Sequence, residues 1–155
     1  MTTVHSPWRS IVTHAIFSAD TASLWKTISP FDALPTLVPQ FIASGTTQGE
    51  GIGMTRTLHF HDGTAVQEEL IAFHPETFRY VYAMTENADK PWEHYFCTVQ
   101  LQALGADQTH LSATGFFQPR DGQETAIRAT LAEVYEAFFA GYAHALGVTM
   151  KLQQL

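Results

Sequence analysis

The chain has 155 residues, of which 45% are hydrophobic and 15% are charged, and its formal net charge is −7. A chain of this length is expected to form one domain that buries roughly 70% of the surface of its unfolded state, so it needs neither a disulfide nor a metal to hold a core. The acidic balance and the scattered Lys and Arg residues exclude nucleic acid as a direct partner, and no apolar run approaches the roughly 18 residues of a membrane-spanning helix.

The start of the chain and its single cysteine bear on the cellular compartment. The first ten residues, MTTVHSPWRS, lack the basic segment followed by an apolar segment that marks a secretory signal. Cys97 has no second cysteine with which to form an internal disulfide. We therefore expect a cytoplasmic protein, and we expect residues 1–155 to form a single domain with its core at about 8–147.

The first third of the chain predicts a strand, two short helices and a second strand. Residues 8–17 are rich in strand-forming types, although their weak alternation leaves the buried face of this strand open. Apolar residues then follow a potential cap at 18–20 with helical spacing, and Pro30 ends that helix. Residues 32–37 predict one more helical turn, and a second strand begins at 41–44.

The rest of the chain predicts antiparallel strands followed by one long helix. Gly147 is the natural end of a helix over 124–146, whose apolar residues recur at i, i+3, i+4 and i+7. With no second helix of similar length, that apolar face must pack on the sheet, so we predict an α+β fold with a curved sheet around the C-terminal helix. The helix face consists of Ile127, Leu131, Val134, Tyr135, Phe138, Tyr142, Ala145 and Leu146, and the strands lie at 54–60, 64–73, 78–84, 94–104 and 109–117.

The hairpin around the Asp-Gly pair decides which polar residues point inward. A two-residue loop would scatter polar and apolar residues over both faces of its strands. A three-residue loop at 61–63, with its glycine in the left-handed conformation, pairs Leu58 with Val66 and Arg56 with Glu68. We predict the second register, because it gathers the apolar residues on one face. It also places Arg56 opposite Glu68 in the middle of the inner face.

An inward ion pair has two interpretations. Removing two charges from water costs several kcal/mol per ion unless attraction and hydrogen bonds offset it, so a fold does not need such a pair for stability. Arg56 and Glu68 could be a structural pair, or one near the sheet edge that still contacts water. Alternatively, they anchor a ligand in an apolar cavity, where the guanidinium could hold a carboxylate, carbonyl or phenolate.

The order of elements and several motifs over residues 11–146 resemble the START-like (SRPBCC) superfamily, the Bet v 1-like helix-grip proteins, and in particular its bacterial polyketide cyclase/dehydrase-like members. The motifs are Trp25 in the first helix, Phe31 and Asp32 before Pro35, a glycine (Gly51 or Gly53) preceding Arg56, the Asp62-Gly63 turn, and Glu68-x-Leu70. The resemblance implies a seven-stranded curved antiparallel sheet wrapped around the C-terminal helix. It also implies two short helices between strands 1 and 2, and a ligand cavity between sheet and helix.

A small hydrophobic or aromatic molecule is the partner that this reading predicts. Relatives often carry a Trp in the last strand where this chain has Ala113, which together with Gly115 suggests space opposite the middle of the helix. In this interpretation Arg56 and Glu68 orient a polar group of the ligand, and the other residues form the wall. The predicted ligand-binding residues are Arg56, Glu68, Tyr80, Tyr82, Tyr95, Ala113, Phe117, Leu131, Tyr135 and Phe138.

The alternative is a cyclase or dehydratase in which Glu68 acts as general base and Arg56 or a tyrosine stabilises an enolate. Pairing with Arg56 favours the charged carboxylate and so weakens Glu68 as a base. A third possibility, a helper protein that acts through an exposed apolar patch, leaves no sequence signal.

No cofactor or metal is expected. The chain contains no HExxH, P-loop, GxSxG or dinucleotide-binding motif. His59 and His61 beside Asp62 could approach a zinc ion, but spacing supplies no third partner, and we interpret them as surface residues. Cys97 is expected to be a small buried hydrophobic residue and not a nucleophile, because no basic residue is tied to it by spacing.

Overall fold

A computed structural model of the protein describes residues 6–154. Its strands form one antiparallel sheet in the order β2-β3-β4-β5-β6-β7-β1-β8, curved around the long helix α3, so the predicted α+β fold is confirmed. The elements are β1 Arg9–Phe17, α1 Thr21–Ile28, α2 Leu34–Leu37, β2 Ile42–Gln48, β3 Thr55–Phe60, β4 Ala65–His74, β5 Arg79–Met84, β6 Trp92–Gly105, β7 Gln108–Pro119, α3 Glu124–Leu146 and β8 Met150–Leu152.

The sheet has eight strands where seven were predicted. The additional strand, β8, has only three residues and pairs with the outer edge of β1, so that Ala15 lies opposite Leu152. Just beyond it, the backbone N–H of Gln153 donates to the carbonyl of His14 at 2.9 Å. The chain after α3 therefore satisfies backbone groups of β1 that an edge strand would leave open. The sequence did not predict β8, because three residues are too few to show an alternating pattern.

The helices begin and end where local chemistry predicts. Asp20 caps α1 by accepting a hydrogen bond from the backbone N–H of Ser23 at 2.9 Å. The helix α3 has the predicted bounds, and the N–H of Gly147 closes it on the carbonyls of Ala143 and His144. The two short helices between the first and second strands are also confirmed.

The buried surface of α3 is broader than the predicted stripe. Phe139 and Ala143 are buried, whereas Ala145 is exposed. The reason is that α2 covers a second side of the helix: a Cβ on Gly141 would lie 2.6 Å from the carbonyl oxygen of Leu37. The helix is thus packed between the sheet and α2. Within residues 6–154, no helix is long and apolar enough to cross a membrane.

The predicted register of the β3–β4 hairpin is confirmed. Arg56 pairs with Glu68 and Leu58 with Val66 across the two strands. Gly63 has a φ of +91°, the left-handed conformation that the three-residue loop requires. Arg56 and Glu68 consequently lie on the concave face, 4% and 5% exposed.

Candidate functional site

The centre of the concave face holds the buried ion pair. Arg56 Nε donates to Glu68 Oε1 at 2.8 Å, and Arg56 Nη1 donates to the carbonyl of Phe31 at 3.2 Å. The guanidinium carbon lies 4.0 Å from the ring centre of Phe31 and 4.8 Å from that of Tyr82. Burial acts against its charge, yet the attraction of Glu68 and of nearby tyrosines raises the pKa of Arg56 above its ordinary value. The arginine is therefore a fixed cation in contact with two aromatic rings.

All five tyrosines of the chain are buried around this pair: Tyr80, Tyr82, Tyr95, Tyr135 and Tyr142. The hydroxyls of Tyr95 and Tyr135 are hydrogen-bonded at 2.5 Å. Burial is the main cause that raises the pKa of every one of them. They act as neutral hydroxyls and not as phenolates.

Cys97 lies on the same concave surface and is completely buried. Burial raises the pKa of its thiol to about 11. A thiol in this state is not ionised near neutral pH, so the geometry offers no thiolate nucleophile.

The space expected beside Ala113 and Gly115 is filled. A Cβ on Gly115 would lie 2.3 Å from the hydroxyl oxygen of Tyr135, so this tyrosine of α3 occupies the volume that the glycine leaves. What remains beside Ala113 is a void of about 10 Å³, called here the inner void. Such a volume holds at most one water molecule. The expectation of a ligand-sized space at this point was wrong, because a large helix residue occupies the volume left by two small strand residues.

A larger cavity lies closer to the surface, between the β3–β4 turn, the β5–β6 loop and α3. This main cavity has a volume of about 660 Å³. Its charged lining residues are Asp62, Glu68, Asp89 and Lys90. Its apolar and aromatic lining residues include Phe41, Leu58, Phe60, Val66, Tyr82, Met84, Trp92, Tyr95, Leu131, Val134 and Phe138.

The structure divides the predicted ligand-binding residues between these two spaces. Five of them line the main cavity: Glu68, Tyr82, Tyr95, Leu131 and Phe138. Arg56, Tyr80, Ala113 and Tyr135 border the inner void, which Tyr82 and Phe138 also reach, and Phe117 is completely buried and borders neither.

Sequence reasoning missed several residues of the main cavity. Phe41 precedes β2, Phe60 ends β3 and Trp92 begins β6, and at such positions alternation no longer assigns a face. Met84 and Val134 could have been predicted. Met84 lies two residues after Tyr82 and so on the same face of its strand, and Val134 belongs to the apolar face of α3. The rings of Phe41 and Phe138 lie 6.3 Å apart, so the segment before β2 contacts the helix at this opening.

The two members of the ion pair face different spaces. Glu68 lines the main cavity, whereas Arg56 lies behind it and borders a separate cleft of about 280 Å³ beside β2, together with Asp32 and Thr47. Within residues 6–154, Glu68 uses only Oε1 in a hydrogen bond. The group that the ion pair presents to the main cavity is therefore the carboxylate and not the guanidinium that the sequence suggested.

The loop that forms one side of the opening is held by several hydrogen bonds. Arg120 donates from Nε to the carbonyl of Lys90 at 2.9 Å and from Nη2 to the carbonyl of Asn87 at 3.0 Å. Lys90 Nζ donates to the carbonyl of Ala65 at 2.7 Å and so connects this loop to the β3–β4 hairpin. Trp92 Nε1 donates to Asn87 Oδ1 at 2.9 Å. These hydrogen bonds connect the loop to the residue after β7 and to the hairpin on the other side of the opening.

The two histidines considered as metal ligands do not line the main cavity. His59 is exposed, and His61 contacts the carbonyl of Pro39 through Nε2 at 2.7 Å. In the part of the chain that the structure describes, no group of three or more His, Cys, Asp or Glu residues is placed to share a metal ion.

Comparison with solved structures supports the same architecture. An uncharacterized protein from Bacillus thuringiensis aligns with a TM-score of 0.78 and 23% identity, covering 88% of this chain and 98% of that one. Truncated norcoclaurine synthase from Thalictrum flavum aligns with a TM-score of 0.80 and 16% identity, covering 94% of this chain and 98% of that one. A structure of the same plant enzyme in complex with dopamine and hydroxybenzaldehyde has a TM-score of 0.77 and 16% identity, covering 92% of this chain and 88% of that one. At these identities the likeness concerns the fold alone.

The sequence itself identifies the family. No curated protein matches it. The sequence model of one protein family, however, matches residues 9–147, from the first strand to the end of α3. That match spans nearly every element described above and agrees with the motifs and the helix-grip architecture. The chain therefore belongs to the family described as polyketide cyclase / dehydrase and lipid transport.

Proposed function

We propose that this protein binds a small hydrophobic or aromatic molecule in the main cavity. The observation that carries the proposal is the cavity itself, about 660 Å³ between sheet and helix. Pockets for small organic ligands commonly span roughly 300 to 1,000 Å³, with a mainly apolar lining and a few polar groups. The main cavity has this character, because aromatic and aliphatic side chains surround a single buried carboxylate, that of Glu68.

The aromatic lining favours a flat ring system as the ligand body. Six aromatic side chains border the cavity: Phe41, Phe60, Tyr82, Trp92, Tyr95 and Phe138. The rings of Trp92 and Tyr95 are stacked with centres 5.0 Å apart. Aromatic groups gain roughly 0.5–1.5 kcal/mol from such contacts beyond the area they bury. The family description and the aromatic ligands of norcoclaurine synthase, dopamine and hydroxybenzaldehyde, agree with this class of molecule.

The geometry favours binding over the cyclase or dehydratase alternative. A general base must be free to take a proton, whereas Glu68 is held by Arg56 at 2.8 Å. The tyrosines stay neutral because burial raises the pKa of each. Both features suit groups that orient a ligand, so the enzyme remains the second candidate.

Probe binding tests the proposal directly. N-phenyl-1-naphthylamine, a neutral fluorescent aromatic, should bind the protein with one site. Val134→Trp should raise its Kd by about tenfold or more, since the larger ring takes up cavity volume. Ala129→Trp is the matched control, because Ala129 is exposed on the same helix and does not line the cavity. Failure of the parent protein to bind any such probe, or equal effects of the two variants, would overturn the proposal.

A further inference from the structure

We propose that the polar group of the ligand is a hydrogen-bond donor, an O–H or N–H on an aromatic body, which Glu68 accepts through Oε2. The inference rests on the proposed function and specifies the chemical class of its ligand. It starts from the arrangement of the ion pair, in which the acidic member, and not the basic one, lines the main cavity.

The first step concerns the charge state of Glu68. An arginine stays protonated in proteins, and Arg56 donates to Glu68 Oε1 at 2.8 Å. A carboxylate held in this way is an acceptor only. Hydrogen bonds to charged groups are stronger than neutral ones, so a donor that reaches the free oxygen gains more than it would at a hydroxyl.

The second step concerns access to that oxygen. Oε1 is the atom that Arg56 uses, and Oε2 has no hydrogen-bond partner within residues 6–154. It is not enclosed, because the one fully buried side-chain nitrogen or oxygen without a partner in that part of the chain is Nε2 of His14. Since Glu68 lines the main cavity, its free oxygen is the acceptor that a bound molecule meets.

The third step excludes an acidic ligand. Three carboxylates and one ammonium line the cavity, from Asp62, Glu68, Asp89 and Lys90, so the net charge of the lining is negative and repels a carboxylate. The ammonium of Lys90 donates to the carbonyl of Ala65 at 2.7 Å and lies 3.6 Å from Asp89 Oδ2. The guanidinium that could hold an anion does not line the main cavity and lies against the rings of Phe31 and Tyr82.

A competition series on the parent protein tests the inference without any variant. Propylbenzene, 3-phenylpropan-1-ol, 3-phenylpropan-1-amine and 3-phenylpropanoate share one aromatic body and differ in the terminal group. The alcohol, the amine or both should displace N-phenyl-1-naphthylamine about tenfold better than propylbenzene, and the carboxylate should displace it least. Which of the two donors binds more tightly decides between a hydroxyl and an ammonium.

A matched pair of variants then assigns the preference to one side chain. Glu68→Gln should reduce the preference for donors, whereas Glu69→Gln should leave it unchanged, because Glu69 is the next residue of β4 and faces the other side of the sheet. Glu68→Gln leaves Arg56 without its carboxylate, so the double variant Arg56→Met with Glu68→Met is the companion that keeps no unpaired charge. It should bind the neutral probe and show no donor preference.

The outcomes separate the two proposals. If N-phenyl-1-naphthylamine does not bind, the proposed function is wrong. If it binds and the carboxylate competes as well as the alcohol and the amine, or if the double variant keeps the full preference for donors, binding stands and the inference about Glu68 is wrong.

Discussion

Two parts of the concave face, formed by the same curved sheet, differ in how α3 fills the space in front of them. Near Ala113 and Gly115 on β7, Tyr135 of the helix packs directly on the strand and leaves a void of about 10 Å³. Near the β3–β4 turn, the helix contributes Thr130, Leu131, Val134 and Phe138, and about 660 Å³ stays open. We call these the packed part and the open part.

The comparison teaches that small residues on a strand do not by themselves create a cavity. The volume in front of them depends equally on the side chain that the helix presents at that level. Tyr135 and Val134 are neighbours in sequence, yet they differ in reach, and the larger one points at the glycine. Close packing is the rule in protein interiors, and the open volume lies closer to the surface, where the β3–β4 turn and the β5–β6 loop face the helix.

The largest effect expected is the response of the tyrosines to high pH. Burial raises the folded-state pKa of all five above the ordinary value of 10.0, so their contribution to stability is complete below about pH 10 and is lost as pH rises further. Each buried tyrosine should cost about 1.4 kcal/mol per pH unit above that point. Tyrosinate absorbance should therefore appear only with unfolding. Early titration of two tyrosines in the folded protein would indicate that water reaches Tyr82 and Tyr95 from the open part.

Truncation of Tyr135 in the packed part and of Val134 in the open part should lower the free energy of unfolding by different amounts. Tyr135→Ala should lower the free energy of unfolding by about 3–5 kcal/mol, because it removes a fully buried aromatic ring. Val134→Ala should cost about 1 kcal/mol or less, since this half-buried residue borders open volume. Urea unfolding of both variants measures the difference. Equal losses would mean that the main cavity is closed in solution.

Adding one methyl group to the packed part should also destabilise it. Gly115→Ala places a Cβ against the hydroxyl of Tyr135, and overpacking of this kind costs about 1–3 kcal/mol. Gly105→Ala is the control, because a Cβ there meets nothing within 4 Å. The first variant should unfold at a lower urea concentration and the second should not. A neutral Gly115→Ala variant would show that Tyr135 moves aside without cost.

The sequence predicted the fold, the hairpin register and the ion pair, but not the position of the cavity. Alternation assigns residues to a face, and the requirement that the apolar residues share one face selected the pairing of Arg56 with Glu68. Alternation along a strand does not say how far a side chain of the helix reaches. The sequence therefore could not show that Tyr135 fills the space at Gly115. Nor does it say that Glu68 rather than Arg56 faces the open part, because that depends on where α2 and the loops lie.

The smallest effect concerns the other face of the same strands, where two half-buried histidines lie side by side. His14 Nδ1 lies 2.8 Å from His110 Nε2, and burial together with the neighbouring charge of His14 lowers the pKa of His110 from 6.5. A lowered histidine pKa means that the unfolded chain takes up the proton first, so this contribution to stability is present above pH 6.5 and is lost as pH falls below it. The free energy of unfolding, measured in urea from neutral pH to about pH 5, should fall less steeply in His110→Gln than in the parent. His59→Gln, at an exposed histidine of β3, is the matched control. If the free energy of unfolding falls as steeply in His110→Gln as in the parent, the burial of His110 adds nothing to stability that depends on pH.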